Sequence, residues 1–209
     1  MRVIAWAAAL ASLVGCAADT EPRPLNSERI RARYGDYAVD VRYQSESLRI
    51  SELYSRATGE RHTRTIAIVE FAAVPVPELA AVDATIRAGA SLGATLRNAG
   101  WEIAKESLWI GTVDPAQTAH RRLRTAMCSS ENLPIAAYRY RLRITKSGDQ
   151  AYTYATVTEF YDPDYLDEQA VRRTSTAPTE PENRSVVTTP LNLLANVTLH
   201  RDSVATPCD

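Results

Sequence analysis

The sharpest chemistry-bearing stretch of this chain is Gly89-Ala90-Ser91-Leu92-Gly93. Glycines on both sides of a serine permit a tight turn that pushes the hydroxyl into the open, and the next backbone amide can then face a developing oxyanion. A serine nucleophile also needs a base and an acid that orients the base. In chain order these would be Asp164, within the acidic run Asp162, Asp164, Asp167 and Glu168, and then His200. The same acidic run offers oxygen ligands, but it lacks the glycine and spacing of a calcium loop, so its acids read as helix caps and first-turn residues. His62, His120 and His200 lack zinc-ligand spacing, and neither a metal nor any other cofactor is expected. Arg139, Arg141 and Arg143 alternate along one strand, behind Arg121, Arg122 and Arg124 on a helix. They could form an anionic-ligand face for a lipid headgroup or a glycan, although a solvated face is the simpler reading.

The five-residue pattern resembles the nucleophile elbow of the α/β-hydrolase family, and that resemblance implies a Ser91–Asp164–His200 triad. The surroundings argue otherwise. An elbow follows a buried β-branched strand, whereas Val82–Ala88 carries Asp83 and Arg87 and reads as a helix. The strands before it form a meander, and no glycine-rich oxyanion loop precedes it. The favoured reading is a break between two helices, with Ser91 as the N-cap of the second and small residues for close packing.

At the N-terminus, Met1-Arg2 is followed by an apolar run from Val3 to Val14 that ends in Leu13-Val14-Gly15-Cys16. The run is too short for a membrane-spanning helix, which needs about 20 residues. It resembles the lipobox signal of bacterial lipoproteins. The resemblance covers residues 1–16 and implies cleavage before Cys16, a palmitate-bearing lipid on that thiol, and anchoring to a membrane by acyl chains. Ala17, in place of aspartate, implies the outer membrane, in an envelope location that includes the periplasm. The expected organisation is a signal peptide over 1–15, a lipidated cysteine and tether over 16–26, and a single domain over 27–209.

Cleavage leaves 194 of the 209 residues, enough for one good-sized domain. The near balance of 24 basic against 25 acidic residues gives no reason to expect nucleic acid as a partner. With Cys16 lipidated, Cys128 and Cys208 remain, and an even pair in an oxidising compartment is expected to form a disulfide.

The elements that must position these groups follow from periodicity. Residues 27–33 suit a short helix stopped at Gly35. Residues 36–44, 48–55 and 61–71 alternate as a three-strand meander, helices follow near 78–88 and 91–98, and 101–113 is a strand. Asp114-Pro115 is placed to open a helix running to about Met127. Strand 135–146 alternates Tyr138, Tyr140, Leu142 and Ile144 with the three arginines, and 150–161 is its hairpin partner. A three-residue loop with a left-handed Gly148 would pair Leu142 with Tyr152 and Tyr140 with Tyr154. Asp162-Pro163 suits a helix start, and 191–200 alternates like a last strand. Grouped strands of this kind imply an α+β domain: an antiparallel sheet of about six to seven strands with helices on one face. The function expected of it is a non-enzymatic binding or structural module of the bacterial envelope, meeting a partner protein or glycan; the alternative is a lipid-anchored serine hydrolase.

Overall fold

The computed structural model describes residues 24–56, 59–73, 76–129, 133–146, 148, 150–176, 188–194 and 197–199. The lipobox with Cys16, and likewise His200 and Cys208, lie outside the described residues. The chain forms α1 (Asn26–Tyr34), β1 (Ala38–Gln44), β2 (Leu48–Ser55), β3 (His62–Phe71), α2 (Ala80–Arg87), α3 (Leu92–Asn98) and β4 (Glu102–Thr112). Then come α4 (Thr118–Met127), β5 (Ala136–Thr145), β6 (Tyr152–Tyr161), α5 (Glu168–Thr174) and α6 (Thr188–Leu194). All pairings are antiparallel, and the six strands lie in the order β1-β2-β3-β6-β5-β4, an α+β architecture.

Alternation decides which side chains meet. On β5, Tyr138, Tyr140, Leu142 and Ile144 face one core, where Leu53, Val69 and Val157 from neighbouring strands join Ile30 of α1, Ile86 of α2, Leu96 of α3 and Val171 of α5. Four helices, α1, α2, α3 and α5, thus cover this face, so helices are not confined to one face as the sequence suggested. The opposite face carries a second core in which Ile50, Ile66, Ile68 and Phe160 meet Leu123 and Met127 of α4 and Leu191 and Leu194 of α6.

Several expectations need correction. The tether does not reach Asn26: Leu25 and Asn26 are buried, and α1 begins at Asn26. It ends at Gly35 with φ 86°, as its sequence implied. Residues 191–200 do not form a strand over their first part, because α6 occupies Thr188–Leu194. Its buried Leu191 and Leu194, with Val197 beyond, recur every third position, a helical period that the leucine alternation disguised. Asp114 and Asp162 each begin a turn, not a helix. The Asp114 carboxylate accepts from the Ala116 amide, and α4 begins only at Thr118. Asp162 is buried against Arg64, and α5 is capped by Asp167, which accepts from the Ala170 amide.

The hairpin register also differs. Tyr140 pairs with Val157 and Leu142 with Ala155, and the pairing slips so that Arg143 meets Thr153 and Ile144 meets Tyr152. Tyr154 has no opposite residue there, which makes it the extra residue of a β-bulge. It turns into the same core as Tyr140 and donates to Asp83 Oδ1 on α2 at 2.7 Å. Gly148 does adopt the left-handed conformation, φ 86°.

Candidate functional site

A half-open cavity of about 80 Å³ lies between the helix-covered sheet face and the first turns of α1 and α3. Its walls are largely apolar: Val39, Leu53, Ala67, Val69, Leu142 and Val157 from the strands, with Leu25 and Leu92 above. A water needs roughly 10–15 Å³ on this scale, so the space accepts a short aliphatic chain. The alternation that builds the core also turns several polar residues inward: Arg49 and Ser51 on β2, Lys105 on β4, Tyr140 on β5 and Glu159 on β6.

Glu159 is the buried acid. Its carboxylate accepts from Tyr161 Oη at 2.7 Å, Asn26 Nδ2 at 3.2 Å and Lys105 Nζ at 3.4 Å. Asn26 is fixed in turn by Thr65 Oγ1 at 3.0 Å and by the Tyr165 hydroxyl, which donates to Asn26 Oδ1 at 2.8 Å. Burial alone would raise the Glu159 pKa, but Lys105, the Tyr161 hydroxyl and Arg29 outweigh it and hold the carboxyl below its ordinary value. Burial pulls Lys105 down, partly offset by Glu159, and its ammonium rests 4.2 Å from the Tyr140 ring centre. Burial and the Glu159 charge both push the Tyr140 and Tyr161 hydroxyls well up, so both remain protonated donors.

The opposite end of the cavity contains Ser91. It occupies the N-cap position of α3, with φ −64° and ψ 118°, but makes no side-chain cap bond. Its Oγ instead lies 3.3 Å from the Tyr37 hydroxyl. Gly89 has φ 109°, which a side chain would strain, and a Cβ on Gly93 would stand 2.7 Å from Leu25 Cδ1. The two glycines therefore serve a helix–helix break and a close approach to α1, the packing role anticipated for them.

The implied triad is not assembled among the described residues. Asp164 offers its carbonyl to Arg33 at the far end of α1, whereas Gly93 sits against its start. Nine residues of helix separate those ends by about 13 Å. His120 is buried on α4, whose leucine and methionine belong to the core of the opposite sheet face. Burial, with Arg124 nearby, lowers its pKa.

The arginine row is largely engaged within the sheet. Arg139 pairs with Glu70 at 2.8 Å, Arg141 with Glu106 at 2.6 Å, and Arg143 donates to Thr153 Oγ1 and the Ala151 carbonyl. On α4, Arg122 donates to the Leu194 and Val197 carbonyls, where it neutralises the C-terminal end of α6. Among the described residues, no three His, Cys, Asp or Glu side chains stand together as a metal site. Cys128 ends α4 in a left-handed conformation, φ 53°.

The inward-facing Arg49, Lys105 and Glu159 were not anticipated from sequence. The signal available was a charge placed on the apolar phase of its strand: Arg49 shares a phase with Ser51 and Leu53, and Glu159 with Val157 and Tyr161. Compared with known proteins, the chain matches no protein-family model, no curated protein and no solved structure.

Proposed function

We propose that this chain is a lipid-anchored protein of the bacterial envelope, held at the outer membrane through Cys16, whose domain binds a small, largely apolar ligand. The carrying observation is the half-open cavity, with apolar walls and a few fixed polar groups, between the sheet and the starts of α1 and α3. Apolar surroundings with convergent polar groups are the usual make-up of a ligand site. The lipobox at residues 13–16 supports the address, and no described helix is long and apolar enough to cross a membrane. Binding is favoured over hydrolysis because the hydroxyl facing Ser91 belongs to Tyr37, a group that stays protonated: burial raises its pKa, with the Ser91 hydrogen bond opposing.

The test is a titration with straight-chain alcohols of four to eight carbons, followed by NMR shifts of the cavity residues and by thermal unfolding. Saturating alcohol should raise the melting temperature, since a ligand at about 100 times its Kd adds roughly 2.7 kcal/mol. Ala67→Leu, which fills the cavity from β3, should abolish the effect while leaving a folded protein. Absence of any shift across the alcohol series would sink the binding reading.

A further inference from the structure

We propose that the ligand of this cavity is an aliphatic monocarboxylate, its head held by Arg49, Ser51, Ser91 and Tyr37. The inference rests on the binding reading above and adds the charge and orientation of the ligand.

The argument begins with Arg49. It lies on β2 in phase with Ser51 and Leu53, so its guanidinium is carried into the interior, where it is 2 % exposed. Its partners are neutral: Nε donates to Ser51 Oγ at 2.8 Å, and Nη1 donates to the carbonyls of Ile86 at 3.0 Å and Ala90 at 2.8 Å. Nη2, with two N–H groups, has one long contact, 3.4 Å to the Gly89 carbonyl. Among the described residues, no carboxylate stands within ion-pair distance of Arg49. A buried guanidinium answered only by dipoles is costly unless an anion completes it.

The other charges bordering the cavity do not compensate. Glu159 is committed to Tyr161, Asn26 and Lys105, and Lys105 has Glu159 as its counter-ion. The lining therefore holds Arg49 and Lys105 against Glu159, one positive charge in excess. A single carboxylate would answer the charge of Arg49 itself, which Glu159, acted on by Lys105 and Arg29, does not.

Donor chemistry agrees. Ser51 accepts from Arg49 and keeps its own O–H to donate. Ser91 and Tyr37 share one hydrogen bond, which leaves one of their two hydroxyl protons uncommitted by it. With Nη2 these supply up to three donors at one end of the cavity, and a carboxylate has about four lone-pair sites to receive them. Beyond that end the wall is Leu53, Val69, Val157 and Leu142, which suits a short aliphatic tail that stops before the Lys105–Glu159 pair at the far end. The serine of the glycine-flanked turn thus serves as an oxyanion donor.

The experiment compares hexanoate, hexan-1-ol, hexylamine and inorganic phosphate by calorimetry and NMR on the whole processed chain. Hexanoate should bind about tenfold or more tighter than hexan-1-ol, the fold-change expected of one charge-assisted hydrogen bond. Its affinity should fall as pH drops through the carboxylic-acid range, while that of hexan-1-ol holds. Arg49 also ties down the α2–α3 turn, so a variant there can fail to fold. The double variant Ser51→Ala/Ser91→Ala is therefore the probe: it should narrow the hexanoate preference by about threefold or more while Arg49 retains part of it, and an unchanged preference overturns the assignment of the two serines. Equal binding of hexanoate and hexan-1-ol to the unaltered chain overturns the carboxylate assignment and leaves the apolar-ligand reading standing. Binding of neither overturns both. Phosphate or hexylamine binding tighter than hexanoate overturns the ligand class.

Discussion

Replacing Glu159 by glutamine removes the counter-ion of a lysine inside the sheet face. The side chain of Glu159 is 5 % exposed and that of Lys105 21 % exposed. Breaking a fully buried ion pair costs about 3–5 kcal/mol, and the partial access of Lys105 to the cavity places this pair near the lower end, about 2–3 kcal/mol. That is a large share of the roughly 5–15 kcal/mol that holds a domain folded. Glutamine can still accept from Tyr161 and Asn26, so the loss isolates the charge more than the hydrogen bonds. Adding Lys105→Met to Glu159→Gln removes the stranded ammonium and should return the protein to within about 1 kcal/mol of the original. Urea unfolding at pH 7 measures all three proteins. Acid supplies a second readout. The folded state holds the Glu159 pKa below its ordinary value of about 4.3, so the stability it contributes is complete above that value and is lost as pH falls through the lower folded pKa. The gap between the original protein and Glu159→Gln should therefore narrow in acid. A single variant that loses less than about 1 kcal/mol at pH 7, or a double variant no more stable than the single, would refute the reasoning.

Gly111→Ala should cost about 1–3 kcal/mol in urea, with a shifted tryptophan emission, because the new Cβ would stand 2.4 Å from the Trp109 ring. Cys16→Ala should move the protein from the membrane to the soluble or unprocessed fraction on cell fractionation; a processed, membrane-bound Cys16→Ala protein would reject the lipid anchor. Cys128 and Cys208 should resist alkylation until reductant is added, and reduction should then lower stability by about 2–4 kcal/mol; two thiols alkylated in the native, unreduced protein would end that pairing.

The sheet was legible wherever alternation was strong. β2 runs over Leu48–Ser55 as anticipated, and β5 places its tyrosines and arginines on opposite faces. Helix starts were harder: Asp114 and Asp162 carry capping chemistry, yet each satisfies its own turn several residues before α4 or α5 begins. Residues 191–199 show why alternation can mislead, since Leu191 and Leu194 fit a helical period as well as Leu191 and Leu193 fit a strand. The cavity was the least legible feature. Lys105 follows Ile103 and Ala104 and precedes Glu106, so adjacent charges leave no alternation to say which of them points inward. What makes Lys105 internal is the partner across two strands, Glu159, and no local pattern encodes a contact between residues so far apart in sequence. The glycine-flanked serine was visible at once, but its neighbour Tyr37 comes from the other end of the meander.

The strand order carries a consequence for how the molecule assembles. β1-β2-β3 and β4-β5-β6 are each sequence-local sets of three, and they meet only where β3 pairs with β6 over Thr65–Phe71 and Ala155–Tyr161. Contacts across that seam join residues about ninety positions apart, so closing it is the high-contact-order step of folding, with the largest chain-entropy cost to overcome before its contacts form. The cavity straddles the same seam: Arg49 and Ser51 come from one half, and Lys105, Tyr140 and Glu159 from the other. Neither half alone closes the cavity, and a ligand of the kind proposed would bridge the two. Occupancy should accordingly slow opening of the β3–β6 seam, so that hydrogen exchange at its amides reports ligand even where the ligand touches none of them.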